Sequence, residues 1–300
     1  MSRLRQYKIA AAAYPIDWFE DWAAYEVKLG LWVAEAAAAG AKLLVFPEYG
    51  GMELASLLGE EGAADLEGQI DKLTEMLPEV DALHARLASA HRVHILAGSL
   101  PYRRGDSVVT NRARLFAPSG AVGVQDKQIM TPWERNDWGV AGAPPLTLFD
   151  TELGKLGVLI CYDSEFPLLA RALIEAGAEV LLVPSCTETL AGYWRVRVGA
   201  MARALEGQCY AVQSPTVGPA PWSPVVEVNV GAAGVYAPPD RGLPPDGVVA
   251  VGEIGRPGWV YADLDLDLLA SARESGMVAG VHHWPAQNER LEHAIATETL

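Results

Sequence analysis

Three residues able to do covalent chemistry stand at comparable places in this sequence: Glu48 after "LLVFP", Lys127 in "VQDKQIMTPWE" and Cys161 after "LGVLI". Taken singly, each has an ordinary reading. A glutamate after a strand is usually a solvated loop residue or a helix cap, and a lysine in strand-rich sequence is usually surface charge. A free cysteine beside Ile160 is usually a small buried hydrophobe. Together they form a base, a cation and a nucleophile. A thiol with a pKa near ~8.5 is barely ionised at neutral pH, but a carboxylate made basic by burial can take its proton. Attack on an amide or nitrile carbon then builds negative charge, which an ammonium and backbone N–H groups stabilise. That is the minimum set for covalent acyl transfer.

Other chemistries find less in the chain. The six histidines are His84, His91, His94, His282, His283 and His293; none follows a buried strand and none lies between residues 95 and 281. A Cys–His pair is therefore the weaker reading. "HRVH" has a spacing that suits a metal but no supporting cysteine or carboxylate set, so no metal is expected. Gly-rich phosphate loops are absent, and no nucleotide cofactor is expected. The formal charge of −15 argues against nucleic acid or an anionic membrane as partner. No apolar run approaches the ~20 residues of a membrane span. The opening "MSRLRQYKIAAAAYPIDWFEDW" imitates a signal peptide weakly, but its apolar stretch runs into Asp17, Glu20 and Asp21 and reads as a first strand. Three cysteines (Cys161, Cys186, Cys209) make no disulfide rhythm, which implies reduced thiols in the cytoplasm.

The elements that must position these groups follow from periodicity. Residues 7–16 read as a strand. Residues 18–40 read as a helix with Trp18, Trp22, Tyr25, Leu29, Trp32 and Ala36 on one packing face. "AKLLVFPE" is a short strand buried on both faces, 64–92 a long helical region, and the sequence to about 130 is strand-rich with turns at "YRRGDS" and "APSGAV". In the second half "GKLGVLICYD", "EVLLVPS" and "CYAVQS" are strands. Between them lie helices at 167–177 and 193–206, the latter with Trp194, Val198, Met201, Ala202 and Leu205 inward. "AGAKLLVFP" (39–47) and "AGAEVLLVP" (176–184) agree at five of nine positions, which suggests two related β/α halves in one domain, two sheets sandwiched between helices. Residues 215–247 hold eight of the twenty prolines and read as shaped loops at the rim. The domain is expected over 1–281, with 282–300 a polar tail that packs on the surface or on a partner.

The segments "LLVFPEYG", "DKQIMTPWERNDWG" and "GVLICYDSEFP", in that order, resemble the three signatures of the nitrilase superfamily of carbon–nitrogen hydrolases. "VPSCTE" and "RVRVGAMARALEGQCYAVQS" are similar to its later segments, so the resemblance covers roughly residues 7–270. It implies a four-layer αββα sandwich, commonly assembled as dimers or larger homo-oligomers across the helical face near the cysteine. It also implies Glu48 as general base, Lys127 as oxyanion-stabilising cation, Cys161 as nucleophile and Glu134 as the group that orients Lys127 and substrate, with no cofactor or metal. In the resulting acyl-enzyme cycle the Tyr162 N–H is the second oxyanion donor, and Tyr162, Glu165, Trp133 and Cys186 are expected in the substrate pocket.

Branch assignment is less direct. Nitrile-hydrolysing relatives carry tryptophan and glutamate after the cysteine, whereas Tyr162 and Asp163 resemble the amidase-like branches. "TPWERNDWG" keeps nitrile hydrolysis as an alternative, alongside N-carbamoyl-amine hydrolysis. Glu165 stands where carboxylate-selective relatives have arginine. At a helix start it has an ordinary reading; as a pocket residue it would favour an amine-bearing amide. An idle scaffold on the same fold is the alternative of another class.

Overall fold

Strand β1 (Gln6–Pro15) sends alternate residues into two different cores. Ile9, Ala11 and Ala13 join one apolar cluster, while Ala10, Ala12 and Tyr14 join another. Side chains alternate along a strand, so a strand apolar at both parities is buried on both faces. In the computed structural model, which describes residues 3–105 and 107–299, this pattern organises the whole chain. Met1, Ser2, Asp106 and Leu300 lie outside the described residues, so the turn expected at 102–107 is described except at its aspartate.

The first sheet contains β1, β2 (Ala41–Val45), β3 (His94–Leu96), β4 (Leu100–Arg103), β5 (Val109–Phe116) and β6 (Val122–Asp126). The second contains β7 (Leu148–Thr151), β8 (Gly154–Val158), β9 (Val180–Ser185) and β10 (Tyr210–Pro219), with β11 (Val228–Asn229), β12 (Gly234–Tyr236) and β13 (Val248–Val251) hung antiparallel from its β10 side. β14 (Gly258–Asp265) returns to pair with β1 from Gln6↔Asp265 to Ala13↔Gly258. The sheets join edge to edge where Tyr14 and Pro15 meet Thr216 and Val217.

α1 (Trp22–Ala38), α2 (Gly59–Ala64) and α3 (Gly68–His91) follow the first strands. Tyr25, Leu29 and Val33 of α1 and Leu73, Leu77 and Val80 of α3 pack with Ala10 and Leu44 on the outer face of the first sheet. Asp21 caps α1 by accepting the Ala24 N–H, which starts this helix later than its aromatic stripe suggests. The core between the sheets holds Ile9, Leu43, Val158, Leu182 and Val212. Beyond α4 (Pro132–Asn136), α5 (Pro167–Glu175) puts Ala170, Leu173 and Ile174 against Leu159 and Leu181 on the outer face of the second sheet. The four-layer αββα sandwich is what the chain forms. Gly40 (φ 88) and Gly177 (φ 103) make matching left-handed exits into β2 and β9, at the positions where the two halves read alike.

α6 (Leu190–Gly207) corrects the sequence reading. Trp194, Val198 and Leu205, expected inward, are 46%, 60% and 55% exposed, and Met201 and Ala202 are half-buried. Its buried face instead combines small residues (Gly192, Gly199, Ala200, Ala204 and Gly207) with Tyr193, Val196 and Arg203. At Gly199 the close approach requires the small residue. A Cβ on Gly199 would lie 3.0 Å from the Ser164 carbonyl oxygen, just past the Cys161 turn. The proline-rich loops do pack back on the molecule, burying Ala220, Val225 and Val226 in the first core. The chain closes with α7 (Leu266–Ser275), α8 (Gly280–His283) and α9 (Pro285–Leu291). Residues 285–299 are exposed, while Trp284 packs against the α5 cluster.

Candidate active site

Three strand ends converge. β2 leads to Glu48 and then to Tyr49, a non-glycine residue at φ 55 that opens the 3-10 helix Gly50–Leu58. β8 leads through extended Ile160 to Cys161 at φ 50, the first residue of the 3-10 helix Cys161–Glu165. β6 ends at Asp126, immediately before Lys127. A left-handed non-glycine residue costs of order 1–3 kcal/mol and persists only where its surroundings over-determine it. Two such residues flank or form this site.

Lys127 Nζ donates to Glu48 Oε1 at 2.7 Å and to Glu134 Oε2 at 2.6 Å. Asn111 Nδ2 donates to the same Glu48 oxygen at 2.9 Å, and the Cys186 N–H donates to Glu48 Oε2 at 3.0 Å. The Cys161 thiol lies against Glu48 and donates to the Cys186 carbonyl, with sulfur to oxygen at 3.7 Å. Glu134 is held from all sides. Its Oε2 accepts from the Thr131 N–H (2.9 Å) and hydroxyl (2.8 Å), and its Oε1 from the Tyr49 hydroxyl (2.6 Å). Thr131 and Glu134 also form the capping box of α4.

These surroundings separate the two carboxylates. Burial pushes Glu48 up, and although the Lys127 ammonium pulls it back, it settles at about 7. Burial pushes Glu134 up too, but Lys127, Tyr49 and Thr131 outweigh it and hold the carboxyl below its ordinary value. Lys127 is destabilised as a cation by burial, yet the two carboxylates raise it above its ordinary range. Cys161 is pushed well up by burial and by Glu48, despite Lys127. At neutral pH the cluster thus contains a fixed anion, a fixed cation, a protonated thiol and a carboxylate poised to exchange a proton. Divergent carboxylates of this kind mark an acid/base assignment.

The four expected pocket residues are placed differently. Tyr162 is half-buried, its ring edge-on to Phe166 at 4.9 Å. Its N–H lies in the first turn of a helix, where backbone donors lack intrahelical acceptors. Trp133 is 36% exposed and packs on Trp138, which packs in turn on Tyr49. Cys186 belongs to the cluster through its backbone, while its thiol turns to Asn229 Oδ1 at 3.5 Å. Glu165, expected in the pocket or at a helix start, accepts from Arg195 Nε of α6 at 3.1 Å. The sequence reading missed Asn111, Tyr49, Thr131 and Asp163. Asn111 and Asp163 are both fully buried, and "TPWE" is a legible capping box.

No helix among the described residues is long and apolar enough to cross a membrane. Nor do the described residues include three or more His, Cys, Asp or Glu grouped to hold a metal ion.

Comparison with known proteins gives a consistent pattern. A family model described as carbon–nitrogen hydrolase matches residues 8–274. A probable hydrolase of Bacillus subtilis, YhcX, is 33% identical over 90% of this chain; the chain spans only 52% of that relative's length. A bifunctional nitrilase/nitrile hydratase of Nicotiana tabacum, NIT4A, is 28% identical over 93% of this chain and 84% of its own. Among solved structures, a double mutant of the amidase from Nesterenkonia sp. AN1, in complex with acrylamide, superposes with a TM-score of 0.70 at 21% identity, covering 98% of this chain and 99% of that one. That likeness is one of fold.

Proposed function

We propose that this chain, which belongs to the carbon–nitrogen hydrolase family, is an amidase that releases ammonia from small aliphatic amides through a Cys161 thioester. The observation that carries the reading is Glu48, buried between the Lys127 ammonium and the thiol and held at about 7. A base of that strength is matched to work near neutral pH.

In the proposed cycle Cys161 Sγ attacks the amide carbon as its proton passes to Glu48. The oxyanion is met by Lys127 and the Tyr162 N–H. The C–N bond then breaks, Glu48 returns the proton to the leaving nitrogen, and ammonia departs. Water gives a proton to Glu48 and attacks the thioester; the C–S bond breaks, the thiolate regains that proton, and the carboxylic acid leaves. Glu134 orients Lys127, and Trp133 and Tyr162 line the acyl pocket. Cys186 contributes its backbone there. No cofactor or metal takes part.

The arginine on Glu165 cancels the charge that would select an amine-bearing amide, so the favoured substrate is neutral. Nitrile hydrolysis is the second reading, favoured by the likeness to a nitrilase/nitrile hydratase. Ammonia release from hexanamide, 5-aminopentanamide, succinamate, hexanenitrile and N-carbamoylhexylamine tests these together. Hexanamide should give the highest kcat/KM; a higher value for the nitrile or the carbamoyl amine would displace the amidase reading. No release from any of them by folded protein would favour an idle scaffold.

Three further parts belong to this reading. Residues 1–281 form the hydrolase unit, with 282–300 as a tail. The protein works in the cytoplasm, where its thiols stay reduced. It pairs with a second copy over the apolar stripe of Trp194, Val198 and Leu205, too large a run of exposed side chains for a helix facing only water. Sedimentation should show a dimer that Val198→Glu weakens; a wild-type monomer at micromolar concentration would remove that part.

A further inference from the structure

The fully buried carboxylate of Asp163 lies outside the acyl-transfer steps, yet it touches both segments that carry them. Its Oδ1 accepts the Ile129 N–H at 2.8 Å and the Gln128 N–H at 3.2 Å. Its Oδ2 accepts the Gln128 N–H and the Ile160 N–H, each at 3.2 Å. Gln128 and Ile129 directly follow Lys127; Ile160 directly precedes Cys161.

The contact with Ile160 alone is local and would be explained as the start of a short helix. The other two donors lie 35 and 34 residues away in sequence, and starting a helix requires neither. The other backbone ties of Lys127 run elsewhere: its N–H to the Asn111 carbonyl at 2.9 Å, and its carbonyl to the Ala143 N–H at 3.2 Å. A buried carboxylate without donors is costly. With three N–H groups converging on it, the same charge becomes a strong and directional fastener.

We propose that Asp163 is a positioning residue, whose carboxylate locks the lysine segment to the nucleophile turn and so sets where the Lys127 ammonium stands relative to the Cys161 sulfur. The proposal rests on the roles given above to Lys127 and Cys161. Asparagine at this position keeps the shape but divides the clamp. Its one oxygen can serve the Gln128–Ile129 side or the Ile160 side, while its NH2 faces donors on the other.

The test is a double-mutant cycle read on the rate of Cys161 alkylation by iodoacetamide at pH 7.5, with the labelled peptide identified by mass spectrometry. This readout needs no substrate. Lys127 favours the thiolate, so Lys127→Ala slows alkylation. Asp163→Asn, by letting the ammonium drift, slows it by about tenfold, as a thiol pKa raised by about one unit would. In the Lys127→Ala background the same substitution changes the rate by less than about twofold, because there is no ammonium left to misplace. Equal slowing in both backgrounds, or none in either, overturns the clamp while leaving the site intact. A Lys127→Ala variant that alkylates at the wild-type rate strikes at the reading of the site itself, and the clamp falls with it. Should Asp163→Asn not fold, amide hydrogen exchange on the wild type decides. The Gln128, Ile129 and Ile160 N–H groups are then slow to exchange, and exchange at open-loop rates overturns the proposal.

Discussion

Carboxylates meet cations at two places around the nucleophile turn, and solvent makes them different devices. In the Glu48–Lys127–Glu134 cluster the three side chains are 2%, 1% and 3% exposed. In the Glu165–Arg195 pair they are 23% and 60% exposed. Water screens the outer pair, so it contributes little energy and little discrimination. The inner cluster has no such screening, so each charge fixes its neighbours' protonation as well as their positions. Chemistry requires the second kind of arrangement. Proximity in sequence to the cysteine does not reveal it: Glu165 is four residues away and spent on Arg195, while Glu48 is more than a hundred away and touches the thiol.

The comparison can be broken at either end, and the largest effect should come from the poised base. Glu48→Gln cannot accept the thiol proton, and we predict a fall in kcat/KM for hexanamide of roughly 10²–10⁴-fold. Lys127→Ala should lose roughly 3–4 kcal/mol of barrier reduction. Lys127→Arg should not restore it, because a planar guanidinium does not replace a compact ammonium between two carboxylates. Wild-type rates in either Lys127 variant would remove the oxyanion role.

The pH profile probes the same cluster without mutation. Glu48 must be ionised to act, and burial holds it at about 7. kcat/KM should therefore rise with pH at unit slope up to about 7, leaving activity at pH 5 about 10²-fold below the plateau. Lys127 is raised, so the plateau should not be cut by its deprotonation below pH ~10. An acid limb near pH 4 would mean that Glu48 is an ordinary carboxylate.

Glu134→Gln sharpens the comparison at intermediate size. Removing one charge-assisted bond of ~1.5–3 kcal/mol should reduce kcat roughly 10–10²-fold. At the small end, Glu165→Gln should change kcat/KM for 5-aminopentanamide, hexanamide and succinamate by less than about threefold each, as expected for a solvent-screened pair. A selective loss for the amine-bearing amide would restore Glu165 to the pocket.

Much of this contrast was legible in the sequence, for stated reasons. Strand ends in β/α sheets gather reactive groups, which singled out Glu48, Lys127 and Cys161. The T-x-x-E capping box stands at Thr131–Glu134, though not its second use as a brace for Lys127. The pairing of Glu165 with Arg195 was illegible because the partner lies thirty residues away on another element. The same holds for Asn111, which reaches Glu48 across sixty-three residues. α6 misled for a different physical reason. Apolar periodicity marks a helix face that avoids water, but not whether the same chain or another covers it. Here the close approach to Ser164 requires glycine at 199, Tyr193 and Val196 fill the buried face, and Trp194, Val198 and Leu205 face out.

The most direct test of the central claim is ammonia release from hexanamide by Cys161→Ala and Cys186→Ala, each shown by its thermal melt to be folded. The change removes little volume, so both should keep a wild-type Tm to within a few degrees. Cys186 serves the cluster through its N–H and carbonyl, which alanine retains, so Cys186→Ala should keep most of the activity. Cys161→Ala should release no ammonia above background. Turnover surviving in folded Cys161→Ala, or lost in Cys186→Ala instead, would contradict the account.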